Sequence, residues 1–394
     1  MTLFLSRNVP ALLLICTLAL SPIAFADSMS RSDVLQFNAN KVMNTLSDAL
    51  LIHDEIPTLE DSKWLTRDKK SARSDLDKLV SRAIGMLESG KISELRETYR
   101  ALEQRVAAEN SKISEYKAAR VLAVREEQST RSKLLPGETM KSWVAVSKGD
   151  YDKLIAIAEN NLAGYEESKE DILAEMSSAL SAIGMDLNQD QLHALLSSIT
   201  GDSVMEMSVV FNAIKDMTEK LAKLTHASGE DLDYARKYYG MVVILHEITV
   251  HMQQNFITDI DEKYLPQLQN YRQTALDNIN EARSLARAGG DTATLQSNLR
   301  SNQKVIEVID LYSQVLNNQK NKVKAALKVS THEQKIANNT YNTVTVSSAV
   351  VGMIRKGSTI FEQLISMQMP EVHVFENKEI QKEFEKLTLR LKGN

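Results

Sequence analysis

Residues 91–134 read KISELRETYRALEQRVAAENSKISEYKAARVLAVREEQSTRSKL. Steps of three and four from Ile92 reach Leu95, Tyr99, Leu102, Val106, Glu109, Ile113, Tyr116, Arg120 and Ala123. Most of these positions are apolar, and the residues between them are mainly charged or Ala. A stripe with that period, sustained over several heptads, marks a helix that pairs with another along a narrow seam. At 1.5 Å per residue, a helix over 91–134 is about 65 Å long. Leu135-Pro136-Gly137 ends it, since the residue before a proline avoids the helical region. A return helix over 149–183 then makes 91–183 an antiparallel coiled-coil hairpin with Trp143 near its tip. Glu109 and Arg120 are polar residues at seam positions, where such residues set register. Self-association through this face, giving a homo-oligomer, is one expectation.

The flanks extend the same pattern. Helices are expected over 32–55 and 66–88, stopped by Ile56-Pro57 and by Ser89-Gly90. Beyond Gly184, Asn188 with Gln191 three residues on forms a capping box for a short helix ending near Thr200. A helix over 202–227 follows, with Ser228 as the next cap. The helix after it is the most apolar of the chain past residue 26. Tyr238, Tyr239, Met241, Val243, Ile244 and Leu245 leave little room for a polar face, and a helix apolar nearly all round is buried. Pro266 kinks its continuation, Gly289-Gly290 breaks it, and Asp291 caps a long helix reaching about Tyr341. Thr343 to Val346 is β-branched and expected to be extended. A helix over 347–367, a break at Pro370, an apolar connector over 372–375 and a last amphipathic helix complete the chain. The expected class is therefore all-α, with long antiparallel helices forming a coiled-coil hairpin plus a helical bundle. The divisions are 27–90 (N-terminal helices), 91–183 (hairpin), 184–342 (bundle around the apolar helix) and 343–394 (C-terminal helices and amphipathic tail).

The first 26 residues stand apart. Arg7, the apolar run Ala11 to Leu20, Pro22 and Ala24-Phe25-Ala26 have the layout of a secretory signal peptide, with cleavage expected before Asp27. Cys16, the only cysteine of the 394 residues, falls inside that run. Ile15 before it excludes a lipid-anchor signal. The remainder has no thiol for a disulfide or a metal. With Arg7 removed from 47 basic residues, 46 face 52 acidic ones, a formal net charge of −6 that argues against a nucleic-acid partner. No later stretch approaches the about 20 apolar residues a transmembrane helix needs. Export without cysteines points to a bacterial periplasm.

Catalytic motifs are lacking. His246-Glu247 and His251 evoke a zinc-protease helix, but the second histidine stands five residues on, not four. Five residues rotate the side chains about 140° apart, so they cannot share one metal. Asp186, Asn188 and Asp190 lack the glycine and glutamate of a calcium loop and are read as capping residues. Asp259, Asp261 and Glu262 are read as a solvated or salt-bridged turn. Ser114 with Lys117 and Ser301 with Lys304 match S-x-x-K without its companion motifs. Lys320, Lys322, Lys324 and Lys328 form a basic run of the kind that is usually a solvated face. No catalytic, cofactor or metal residue is therefore assigned. The candidates for interaction are Trp143 at the hairpin tip and Phe375, Ile380, Phe384, Leu387 and Leu391 in the tail. The candidate pocket is Tyr238, Tyr239, His246 and His251 beside the apolar helix. The function expected is a periplasmic structural or adaptor protein that bridges components of a cell-envelope complex. The alternative is a small-molecule-binding or sensory helical bundle.

Overall fold

The computed structural model describes residues 30–35, 37–62, 67–88, 90–127, 129, 133–134, 136, 138–142, 144–227, 232–346, 361–367 and 377–392. The expected signal peptide, Trp143, the Ser228 cap and the connector with Phe375 lie outside them. The fold is all-α, 88% helical with no strand among the described residues. In chain order the helices are α1 (Arg31–Val34), α2 (Ala39–Glu55), α3 (Lys69–Glu88), α4 (Lys91–Leu122), α5 (Glu138–Ser142), α6 (Lys148–Ala182) and α7 (Gln189–Leu196). Then come α8 (Gly201–Ala227), α9 (Leu232–Thr258), α10 (Leu265–Arg287), α11 (Thr292–Val346) and α12 (Lys378–Lys392), with a further helical segment over 361–367 before α12.

Two long antiparallel pairs organise the chain. In the first, α4 runs against α6: Lys91 pairs with Glu175 at one end, and Lys117 with Glu159 and Arg120 with Asp152 at the other. The stripe legible in 91–123 is the face that meets α6, with Ile92, Leu95, Tyr99, Leu102, Glu109 and Ile113 buried. The heptad face is thus covered by the chain's own return helix, and not left open for a second copy. Arg120 pairs across that seam, and Glu109 pairs with Lys112 on its own helix.

In the second pair, α9 passes through a π-helical turn (Asp259–Tyr264) into α10 and folds back along α11. Asn278 with Asn302, Arg272 with Asp310, Lys320 with Asp261 and Gln334 with Glu247 are cross-helix partners in one antiparallel register. Pro266 sits in the first turn of α10, where its missing N–H costs least. Gly289, at φ +92°, makes the fold-back, and the N–H of Gly290 donates to the carbonyl of Leu285. Glycine suits this left-handed position because a Cβ there is strained. Asp291 caps α11 through the N–H of Ala293. Residues 343–346 are helical, correcting the extended expectation. The hydroxyls of Thr343 and Thr345 donate to carbonyls one turn back, and Val344 is buried.

One apolar core joins the blocks that the sequence separates. It includes Leu46 of α2, Val80 of α3, Tyr99 of α4, Met176 of α6, Leu192 of α7, Phe211 of α8, Ile244 of α9, Tyr312 of α11 and Leu387 of α12. The apolar helix α9 lies within it as expected, with Val243, Ile244, Leu245 and Ile248 fully buried. No single described helix is long and apolar enough to cross a membrane, and α7 with α8 meets that test only as a pair bent by 115°. Gly201 sits at this bend, where a Cβ would stand 2.0 Å from the carbonyl oxygen of Leu195.

Candidate interaction surfaces

The core takes in only the base of the first hairpin. Ile92, Leu95 and Tyr99 of α4 and Leu173, Met176 and Leu180 of α6 belong to it, whereas Ile113, Leu154, Ile155 and Ala158 are buried outside it. Residues 102–122 and their partners on α6 therefore form an arm about 30 Å long at 1.5 Å per residue. Its inner contacts are mixed. Ile113, Leu154 and Ala158 pack there, Arg105 lies over the Tyr165 ring, and the second carboxylate oxygen of buried Glu109 has no partner.

The arm's end differs from the expected turn at Pro136. Helix α4 stops at Leu122, twelve residues before 134, and Ala123 is extended. The cause lies across the turn, at the N-terminus of α6. Ser147 and Asp150 form a capping box there. The buried Asp150 carboxylate also accepts from the Ser129 N–H (2.8 Å) and hydroxyl and from the N–H groups of Val146 and Ser147. Burial raises the Asp150 pKa, but these hydrogen bonds outweigh it and bring it down to about 2. The N–H groups of Lys148 and Gly149 donate to the carbonyls of Arg125 and Glu126. These bonds draw residues 123–127 and 129 out of the helix. The short helix α5 folds back along the arm, where Glu138 accepts from Lys112 and from the hydroxyl of Tyr116. Burial, and then that bond to Glu138, push the Tyr116 phenol up to about 12.

The segments around this end carry several exposed apolar side chains. Val121, Leu122 and Val124 are 77%, 81% and 92% exposed, and Leu134, Met140 and Val146 are exposed with them. The only other large apolar side chains so exposed among the described residues are Leu51, Leu224, Leu285, Ile336 and Leu389, scattered singly. Lone exposed apolar residues are ordinary, whereas a concentration of them marks a contact surface. The Arg125–Ser147 bridge brings the backbones at Val124 and Val146 side by side. Sequence reasoning placed only Trp143 here. The signal it missed was Val121-Leu122-Ala123-Val124, which was absorbed into the helix.

The tail residues have a different fate. Phe384, Leu387 and Leu391 are buried, and Ile380 is half-buried against the same core. Phe384 stacks on Tyr312 with ring centres 3.9 Å apart. The Tyr312 hydroxyl shares a hydrogen bond with Thr388 and accepts from the N–H of Ile199. Lys392 reaches the carbonyl of Leu196 and lies 3.8 Å from Asp202, which Arg100 also binds. The apolar face of α12 is thus covered by the chain's own bundle, so Phe384, Leu387 and Leu391, named as interaction candidates, pack within the chain.

The four pocket candidates do not converge. His246 is buried, stacks on Phe361 at 5.0 Å, and its Nδ1 has no partner. Burial brings its pKa down to about 4. His251 faces elsewhere, 3.4 Å from the Ser81 hydroxyl and 3.8 Å from Asp77. The five-residue spacing divides the two rings as the helical rotation requires. Tyr239 is buried and Tyr238 half-buried. A groove opens instead between α2, α3 and α9, lined by His53, Ile56, Pro57, Arg73, Leu76, Asp77 and Glu247, with a volume of about 310 Å³. Burial raises the pKa of Glu247. No three His, Cys, Asp or Glu side chains among the described residues are placed to hold a metal ion. The basic run on α11 is partly paired, since Lys320 and Lys324 both approach Asp261.

The chain matches no protein-family model, no curated protein and no solved structure.

Proposed function

We propose that this chain is an exported, periplasmic adaptor that bridges components of a cell-envelope complex, with the α4–α6 arm as its reaching element. The observation that carries this reading is the division of the hairpin into a core-embedded base and an arm of about 30 Å with an apolar end. Such an arm buries little surface for its length. It does extend a contact surface away from the bundle. The test is photo-cross-linking in intact cells, with the reactive residue at exposed Ala118 or Glu159 on the arm and at exposed Glu170 nearer its base. Adducts to an envelope component from the arm positions, and not from Glu170, are the expected result. Arm positions that yield only self-adducts or none would overturn it.

The groove beside Glu247 favours a second reading, a small-molecule-binding or sensory bundle. It combines an apolar floor of Ile56, Pro57 and Leu76 with charged Arg73, Asp77 and Glu247. Ligand sites join mostly apolar walls to a few polar groups in this way. A thermal-shift screen separates the readings. A compound whose stabilisation is lost in Arg73→Ala supports the bundle reading.

A further inference from the structure

We propose that the base of the α4–α6 hairpin is a proton-operated joint. With its proton, Glu206 lets the first turns of α8 seat against α3 and α4. Without it, crowded carboxylates loosen that seat and free the arm at its root. This goes beyond the adaptor reading, because acidity would set how freely the arm moves whatever the arm meets.

The geometry is a crowd of like charges around one committed cation. Asp202 and Glu206 stand four residues apart on α8, so they share a face, and like charges so spaced repel. Glu88 joins them from the end of α3 and Asp259 from the start of the π-helical turn. Arg96 of α4 is the cation facing Glu206, and it is already engaged. Its guanidinium pairs with Glu88 and donates to the carbonyl of Asp202 at 3.4 Å. The next cations serve Asp202. Arg100 donates to it at 2.8 Å, and Lys392 of α12 lies 3.8 Å away. Glu103 accepts from the other arm of Arg100. Tyr264 of the π-helical turn stays a neutral phenol, its pKa raised by burial and then by Asp259 and Asp202. Glu206 itself is half-buried and has no hydrogen bond or ion pair among the described residues.

A carboxylate in that setting is costly, since it has lost water without gaining a donor and faces others of its own sign. Burial, then Glu88, then Asp202 and Asp259, push the Glu206 carboxyl from its ordinary 4.5 up to about 7 against the pull of Arg96. The raised value fixes the sign. The stabilisation from the protonated form is complete below about pH 4.5 and is lost as the pH rises through about 7. The joint is therefore tight in mild acid and loose in mild alkali. Arg96 lies between Leu95 and Tyr99, two of the residues by which α4 enters the core, so what loosens α8 here loosens the anchorage of the arm.

Hydrogen exchange of the full chain, read by mass spectrometry at pH 6 and pH 8 and corrected for the exchange of free amides, tests the joint. Protection over 91–103 and 202–210 should fall between the two values. The limit is about tenfold, for one group titrating at about 7 when seated and 4.5 when released. Residues 275–305 of the α10–α11 pair are the control and should not share the fall. Glu206→Gln keeps the shape without the charge and should hold the pH 6 protection at both values. Asp259→Asn removes one like charge from an exposed position and should move the midpoint of the fall toward acid. Equal protection of the parent at the two values overturns the proposal. So does a fall that Glu206→Gln retains, or a midpoint that Asp259→Asn leaves in place. The Asp259 variant decides the matter by itself if the first variant does not fold.

Discussion

Two residues show how far a side chain's consequences lie from its place in the sequence. Gly201 reads as the end of one helix and the start of the next. In the fold it lets backbone meet backbone, since any Cβ would strike the Leu195 carbonyl. Gly201→Ala should therefore cost about 1–3 kcal/mol, as overpacked sites do. Thermal denaturation would show this as a Tm several degrees lower. His246 is a case of electrostatics. Its pKa falls in the folded state, so the unfolded chain takes up the proton first on acidification. Stability from the neutral ring is present above about pH 6.5 and declines toward pH 4. His246→Leu should flatten that decline, seen as a smaller Tm difference between pH 7.5 and pH 5 than the parent shows. That the two histidines diverge was legible in their five-residue spacing. Their neighbours were not, because Phe361 and Asp77 arrive from distant segments and leave no local mark on residues 246–251.

Among elements, those with local causes were legible. The Asn188–Gln191 capping box, the stop at Gly289 and the buried stripe of α4 follow from residues within a turn or two of one another. The end of α4 did not, because its cause is Asp150, which captures Ser129 from across the loop. Asp150→Ala leaves those donors without their acceptor. It should cost about 1–3 kcal/mol of local stability, read by hydrogen exchange as faster opening around residues 144–150, with little change in overall helix content. The depressed pKa sets the sign of the pH effect. The contribution is complete above the ordinary carboxylate range near pH 4 and is lost as the pH falls toward 2. The tail shows the converse. The amphipathic spacing of Phe384, Leu387 and Leu391 announces a helix that must be covered, but an apolar stripe does not say by what. The answer lies in Tyr312 and the α7–α8 bend.

For the whole molecule, one core with an arm leaving it implies unequal stability. Amides in α9, surrounded by apolar side chains, should exchange only on global unfolding. Those over 106–122 and 150–165, with a thin and partly polar seam, should exchange faster by orders of magnitude. Hydrogen–deuterium exchange read by mass spectrometry would resolve the gradient, and uniform protection along α4 would contradict it. The all-α class and the first hairpin were open to inspection because a heptad seam repeats locally. The second long pair was not, because α9 is apolar all round and presents no single stripe to match with α11. Its fold-back at Gly289 also bears on how the protein is handled. That turn is exposed. A reporter domain spliced between Gly289 and Gly290 would leave the antiparallel register intact. One fused after Asn394 would crowd a helix whose buried Leu391 lies within a turn of the end.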